Sequence, residues 1–306
     1  MNNIIKFSGI LIIILSIFFI SQIISNNWSI IKHGPTYFNA YFFLLAIFFL
    51  EIFWLYQSLI FRFIYSNFEN KPKYSSICRI MFLNNLLAYI PGKIIGWIGV
   101  SKHSSKINLS ASSILWTLLL FQVYSFISAG LVSLALINFI NLEISSLFII
   151  IVTIIFGFIF LIFSNKIKLI LLKILNLIKK VPNISNQNIS FNKNIINISL
   201  YTISWLIMGF TLWCIISSLT KEVISLPEVV IIFIISYIFA QLTIVVPAGL
   251  GVLEAGLILL LSRIISIEIA IYSVAAFRIL IISTNLISLI IIELFFSLVN
   301  KRVFSE

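Results

Sequence analysis

The sequence predicts an all-α integral membrane protein of about eight membrane segments, about six of them full spans and two broken near their middles. Three observations carry this. Of 306 residues, 61% are hydrophobic and 9% are charged, against about a quarter charged in an average soluble domain. Apolar runs of about 20 residues, the length a helix needs to cross a hydrocarbon core of roughly 30 Å, recur along the whole chain. The longest polar stretch, Lys179–Lys193, is too short to bury a core of its own. A single transmembrane domain over 1–306 is therefore expected.

Taken in order, full spans are expected at about 4–24, 40–64, 112–138, 147–163, 195–219 and 268–298. The first reads as a retained helix, because Ser21-Gln22-Ile23-Ile24 offers no small-residue cleavage site for a signal peptide. Two further apolar regions, 74–101 and 228–263, are interrupted by Pro and Gly. Tyr89-Ile90-Pro91-Gly92-Lys93 divides the first into arms Ile77–Ile90 and Ile94–Val100. At 1.5 Å per residue neither arm crosses the core. Val246-Pro247-Ala248-Gly249-Leu250-Gly251 divides the second into arms of about 19 and 11 to 14 residues. That region is either a re-entrant hairpin or a span with a short return.

The net charge of +11 reports orientation rather than nucleic-acid binding, since its lysines are not gathered on a soluble face. A first break that enters and leaves on the cytoplasmic side puts both termini on the cytoplasmic side of a cytoplasmic (inner) membrane. Lys6, Arg62, Lys71, Lys73, Arg79, Lys102, Lys106, the lysines of 166–193, Lys301 and Arg302 are then cytoplasmic. Only Lys32, Lys221 and Arg263 fall outside, and Lys93 and Arg278 stay at membrane depth. The rival topology, with 79–101 as one ordinary span, places the lysine-rich 165–193 connection outside.

An internal repeat follows. Pro91 and Pro247 lie half a chain length apart, and each has an amide side chain six residues upstream, Asn85 and Gln241. Pseudo-repeat halves of about 1–145 and 146–306, with hairpins dipping from opposite faces, make an inverted repeat. That plan suits transporters whose site lies where two broken elements meet.

Soluble-enzyme chemistry finds little support. Gly249-Leu250-Gly251 lacks the strand and third glycine of a dinucleotide site. There is no Walker loop and no Asp, so ATP-driven transport by this chain alone is not expected. Cys78 and Cys214 are far apart and read as packing residues, while His33 and His103 fall in predicted loops, so neither metal nor cofactor is expected. The tryptophans mostly fall near expected span ends, as an aromatic belt does. Lys166–Val181 reads as a basic cytoplasmic extension and Asn183–Asn194 as a polar linker.

The ionisable groups at depth define the candidate site. Backbone opened at Pro91-Gly92 and at Pro247–Gly251 is tolerated only where protein or a wet cavity satisfies it. Helix N-termini after each break point partial positive charge inward, and Lys93 adds a full charge, either to hold a lipid phosphate or to snorkel to the surface. Glu254 and Arg278 reach similar depth and are expected to pair, as an architectural tie or as a pair that opens to a phosphate. Glu51, mid-span, is a coupling carboxylate or a buried structural one.

The stretch Asn85–Lys102, N-L-L-A-Y-I-P-G-K-I-I-G-W-I-G-V-S-K, resembles the Y-x-P-G-K-x-x-G block of the lysylphosphatidylglycerol synthase transmembrane-region family. Val246–Glu254 is similar to its P-G-G-L-G-x-x-E block, with Ala248 where the family usually has Gly, and Arg278 matches its late aliphatic-Arg position. The resemblance implies substrate-binding roles for Tyr89, Pro91, Gly92, Lys93, Gly96, Pro247, Gly249, Gly251, Glu254 and Arg278, beside Asn85 and Gln241. It also implies the lipid-translocating half without the aminoacyl-transferase domain that bifunctional members append. The expected function is therefore movement of an anionic phospholipid or lipid-linked glycan between leaflets rather than catalysis. A membrane-embedded enzyme acting on a lipid phosphate, or a scaffold for a partner lipid or glycan synthase, stays open.

Overall fold

A computed structural model of the chain describes residues 34–35, 37–89, 93–105, 107, 109–136, 189–243 and 246–303, together with Ser25. The spans expected at about 4–24 and 147–163, the basic stretch 166–181 and most of the 183–194 linker lie outside the described residues.

Among the described residues are eight α-helices and no strand. Helix α1 (Ala40–Tyr65) starts where the Asn39 side chain accepts the Tyr41 N–H at 3.0 Å, satisfying one of the donors a helix start leaves open. Helices α2 (Tyr74–Leu87) and α3 (Lys93–Ser105) flank the first break. Helix α4 (Ala111–Leu136) follows Ser110, whose Oγ accepts from the Ser113 N–H. Helix α5 (Phe191–Leu219) leads to α6 (Leu226–Leu242), which has Pro227 in its first turn, where a missing N–H costs nothing. A 3-10 turn, Pro247–Gly249, separates α6 from α7 (Val252–Leu261), and α8 (Ile267–Val303) completes the set.

Four helices, α1, α4, α5 and Ile267–Leu294 of α8, are long and apolar enough to cross a membrane. The chain is thus a multi-pass membrane protein, all-helical over its described residues. The succession of a long helix, a broken pair and a long helix occurs twice, as α1, α2–α3, α4 and again as α5, α6–α7, α8.

The helix bounds depart from expectation where polar residues continue a helix past its apolar run. Helix α5 begins at Phe191 rather than 195, with Asn194 held by the Tyr124 hydroxyl. Helix α3 runs through Lys102 and His103 to Ser105, so His103 is helical and not in a loop. No Pro follows Gly99 to stop it. The second break's arms are shorter than expected, 17 and 10 residues, because the irregular segment takes in Thr243 as well as Val246–Gly251. Nor are all tryptophans belt residues: Trp205 is 4% exposed and donates to the Ser128 hydroxyl at 2.9 Å, and Trp54 donates to Thr284.

The chain divides into two compact units. One gathers residues 55–81 and 97–205. Its core stacks Phe61, Phe121 and Tyr201 edge to face, with centroid distances of 5.6 and 5.0 Å, an arrangement worth somewhat more than its buried area. Cys78 is buried there without a disulfide, and Cys214 likewise in the other unit.

The other unit gathers residues 1–54, 82–96 and 206–306. Here α7 doubles back along α6: Gly256 lies against Ser236 and Gly249 against Ala240, the antiparallel order of a helical hairpin. Helix α3 likewise starts against the last turn of α2, with Gly96 on the Leu87 carbonyl. At 1.5 Å per residue α6 reaches about 25 Å and α7 about 15 Å, both short of a hydrocarbon core. Apolar side chains at Leu44 and Phe48 on α1, and at Ile279, Ile282, Leu286 and Ile290 on α8, stay exposed at helical spacing. In a multi-pass membrane protein such stripes meet lipid rather than water.

Gly209 sets the closest approach of α5 to α6, since a Cβ there would stand 2.5 Å from Val230 Cγ2 and 2.9 Å from its Cα. Gly209→Ala gains about 1 kcal/mol of helix propensity but forces the two backbones apart, at a cost of about 1–3 kcal/mol. The expected net result is a lower thermal unfolding midpoint in detergent, partly recovered by adding Val230→Ala.

Candidate functional site

The two breaks meet within one unit. The Ala248 N–H, on the turn after α6, donates to the Ala88 carbonyl just past α2 at 2.8 Å. Each group would otherwise be an unpaired backbone dipole where no ladder is available.

The turn that brings Ala248 there needs left-handed backbone. Ala248, Gly249 and Gly251 have φ of 47°, 64° and 81°. Gly249 is further required because a Cβ would sit 2.7 Å from that of Ala240. Ala248 carries a side chain in a region that costs an L-residue roughly 1–2 kcal/mol, which gives a physical reason for glycine at this place in the resembling block.

Glu254, in the first turn of α7, has both carboxylate oxygens engaged. Oε2 accepts the Gly251 N–H at 2.7 Å, closing the helix start on itself. Oε1 lies 2.9 Å from Arg278 Nε on α8, with the two side chains 13% and 14% exposed. The pair expected from sequence is therefore present, though the contact lies off the Nε–H axis and is ionic more than a directed hydrogen bond. Arg278 Nη2 donates to the Ala248 carbonyl at 3.3 Å. Its guanidinium also lies 5.3 Å from the centre of the Tyr89 ring, within cation–π range. One arginine thus touches the residues that follow α2, the turn after α6, and α7.

Of the candidates, Tyr89, Gly249, Gly251, Glu254 and Arg278 converge here, and Gln241 lines an adjoining cavity of about 50 Å³ with Ala88, Ala240, Thr243, Val246, Ala248 and Gly249. That volume holds water-sized guests and not a lipid. Asn85 and Glu51 are engaged elsewhere on α8. Asn85 Nδ2 donates to Asn285 Oδ1 at 3.1 Å, and Asn285 Nδ2 donates to the Phe82 carbonyl at 3.3 Å. Glu51 Oε2 accepts from the Ser288 hydroxyl at 2.8 Å, and Trp54 Nε1 donates to Thr284 Oγ1 one turn away. Pro91 and Gly92 lie outside the described residues, as do the side chains of Lys93, which opens α3, and Pro247. Among the described residues no group of three or more His, Cys, Asp or Glu is placed to hold a metal.

Asn285, Thr284 and Ser288 escaped the sequence reading. The available signal was polar residues inside an otherwise apolar helix, six, seven and ten positions after Arg278.

Substitutions at Ala248, Glu254 and Arg278 probe this geometry. Ala248→Gly relieves the left-handed strain and is expected to raise the unfolding free energy by up to about 1 kcal/mol. Glu254→Gln keeps an acceptor for Gly251 but leaves a partly buried guanidinium with only the Ala248 carbonyl and the Tyr89 ring, at a cost of about 1–3 kcal/mol. The double change Glu254→Gln with Arg278→Gln is expected to cost less than the two singles summed, because contacting sites do not add. Thermal unfolding in detergent checks both.

No curated protein matches the chain. A family model described as "Lysylphosphatidylglycerol synthase TM region" matches residues 7–288, taking in both breaks, Glu254, Arg278 and Asn285. That match covers most of the sequence, and the chain belongs to the lysylphosphatidylglycerol synthase transmembrane-region family, multi-pass membrane proteins of lipid metabolism or transport.

Proposed function

We propose that the chain is a lipid translocase that moves an anionic phospholipid or lipid-linked glycan between leaflets of the cytoplasmic membrane. The observation that carries this is Arg278, a largely enclosed cation, its side chain 14% exposed, at the meeting point of two interrupted backbones. An ionisable group kept at such cost in a membrane protein has a partner or a task. Here the partner is replaceable. A lipid phosphate presents the same paired oxygens as Glu254 and bonds a guanidinium bidentately. Glu254, once released, keeps its bond from Gly251, so opening the pair leaves neither charge wholly unsatisfied.

The two broken segments act as re-entrant hairpins that dip from opposite faces, in halves related as an inverted repeat. Lys93, at the start of α3, adds positive charge beside the first. Asn85, Tyr89, Gly96, Gln241, Gly249 and Gly251 shape the groove around it, and Glu51 serves coupling or structure on α1. A partner lipid or glycan synthase supplies the substrate. The reading as an enzyme on lipid phosphate needs Glu254 or Glu51 as its acid/base, and in the closed pair both Glu254 oxygens are engaged, by Gly251 and by Arg278.

The test is reconstitution in liposomes carrying head-group-labelled phosphatidylglycerol. Leaflet exchange faster than in protein-free liposomes, with no new product, is expected. Arg278→Gln slows exchange about tenfold or more, the loss of a charged hydrogen bond of about 1.5–3 kcal/mol. Glu254→Arg with Arg278→Glu restores folding without restoring exchange. Exchange at the protein-free rate, or product formation, overturns the reading.

A further inference from the structure

Gln57 on α1, Ser125 on α4 and Ser204 on α5 are polar side chains only 4%, 1% and 1% exposed. Among the described residues, Gln57 Oε1 and the Oγ of each serine have no hydrogen-bond partner. All three belong to the compact unit of 55–81 and 97–205, which does not include Arg278. A buried polar atom left unpaired carries the full cost of leaving water, so each such atom calls for a physical reason.

Contacts on either side bring the three groups to one level. Tyr65 meets Ser110 where Phe61 meets Phe121, so α1 and α4 run antiparallel. Tyr124 meets Asn194 where Ser128 meets Trp205, so α4 and α5 run parallel. Gln57 lies one turn before Phe61, Ser125 one turn after Phe121 and Ser204 three residues after Tyr201. Each is therefore displaced to the same side of the Phe61, Phe121 and Tyr201 stack. The azimuths agree as well, at 100° per residue. Ser204 falls between Leu200, whose carbonyl accepts from Tyr56 of α1, and Trp205, whose indole donates to the Ser125 carbonyl of α4. Gln57 falls between Tyr56, facing α5, and Phe61, facing α4. Three helices thus turn an unpaired polar atom toward one seam.

We propose that the seam between α1, α4 and α5 is a buried water site, bridging Gln57 Oε1, Ser125 Oγ and Ser204 Oγ. The three groups are uncharged, so an ion finds no counter-charge among them. They combine an amide oxygen, which only accepts, with two hydroxyls that donate or accept. Water is the small guest that does both, and two to four polar partners are what a buried water holds. A water bridge also joins groups on helices too far apart for a direct bond. The site goes beyond the translocase reading and does not depend on it.

The test uses the full chain in lipid nanodiscs and X-ray hydroxyl-radical footprinting, in which bound water marks the side chains beside it. Phe61, fully buried in the protein, is expected to be oxidised in the wild type and spared in the triple variant Gln57→Met, Ser125→Ala, Ser204→Ala. Each single change is expected to lower the unfolding midpoint by a few degrees, because it strands the partners that remain. The triple change recovers most of that loss, since no polar partner is left to strand. Phe61 unmarked in the wild type, or a single change that raises the midpoint or leaves it unmoved, means a dry seam and overturns the proposal. The wild-type footprint decides even where a variant fails to fold. Lipid exchange in liposomes at the protein-free rate sinks the translocase reading alone and leaves the water site standing.

Discussion

A hydrogen bond between two backbone groups, from Ala248 to Ala88, is what the rest of the site depends on. Helices cross hydrocarbon because each satisfies its own peptide groups, and a chain that stops being helical at depth forfeits that. Each break in this protein repairs part of the other's loss. Once the two are joined there, Tyr89 is carried over Arg278 and the carbonyl of Ala248 is aimed at it. The placement of the charges follows from the placement of the backbone.

The ion pair is an expensive tenant in that setting. Desolvating a carboxylate and a guanidinium costs several kcal/mol each, and their attraction offsets this only with good geometry and further hydrogen bonds. The further bonds exist: Gly251 donates to Glu254 and Arg278 donates to Ala248. A purely apolar contact at this seam is the simpler way to join α7 to α8. The proposed exchange of one partner falls on Arg278 rather than on Glu254, because the start of α7 also requires Glu254.

Much of this was legible in the sequence because it rests on local rules. The long apolar helices α1, α4, α5 and α8, the two interruptions, and the Glu254–Arg278 pair all follow from residue type, spacing and depth. What stayed hidden is non-local. Asn85 announced itself as a polar residue before a proline, yet its partner Asn285 lies two hundred residues on, in a helix with no break to mark it. Glu51 was visible as a lone carboxylate and Ser288 was not, since a serine in an apolar helix commonly satisfies itself on its own preceding carbonyls.

The polar contacts along α8 have a mechanical consequence. Arg278, Thr284, Asn285 and Ser288 tie one helix to the second hairpin, to α2 and to α1. A helix that turns by 100° per residue can satisfy all of these at one azimuth only. Its outward apolar stripe, Ile279, Ile282, Leu286 and Ile290, imposes no such preference, because one aliphatic side chain against lipid is much like another. The rotational setting of α8 is thus discrete, held by these polar teeth together with the buried Val274, Phe277 and Leu280. Any step that moves it must release several of them together.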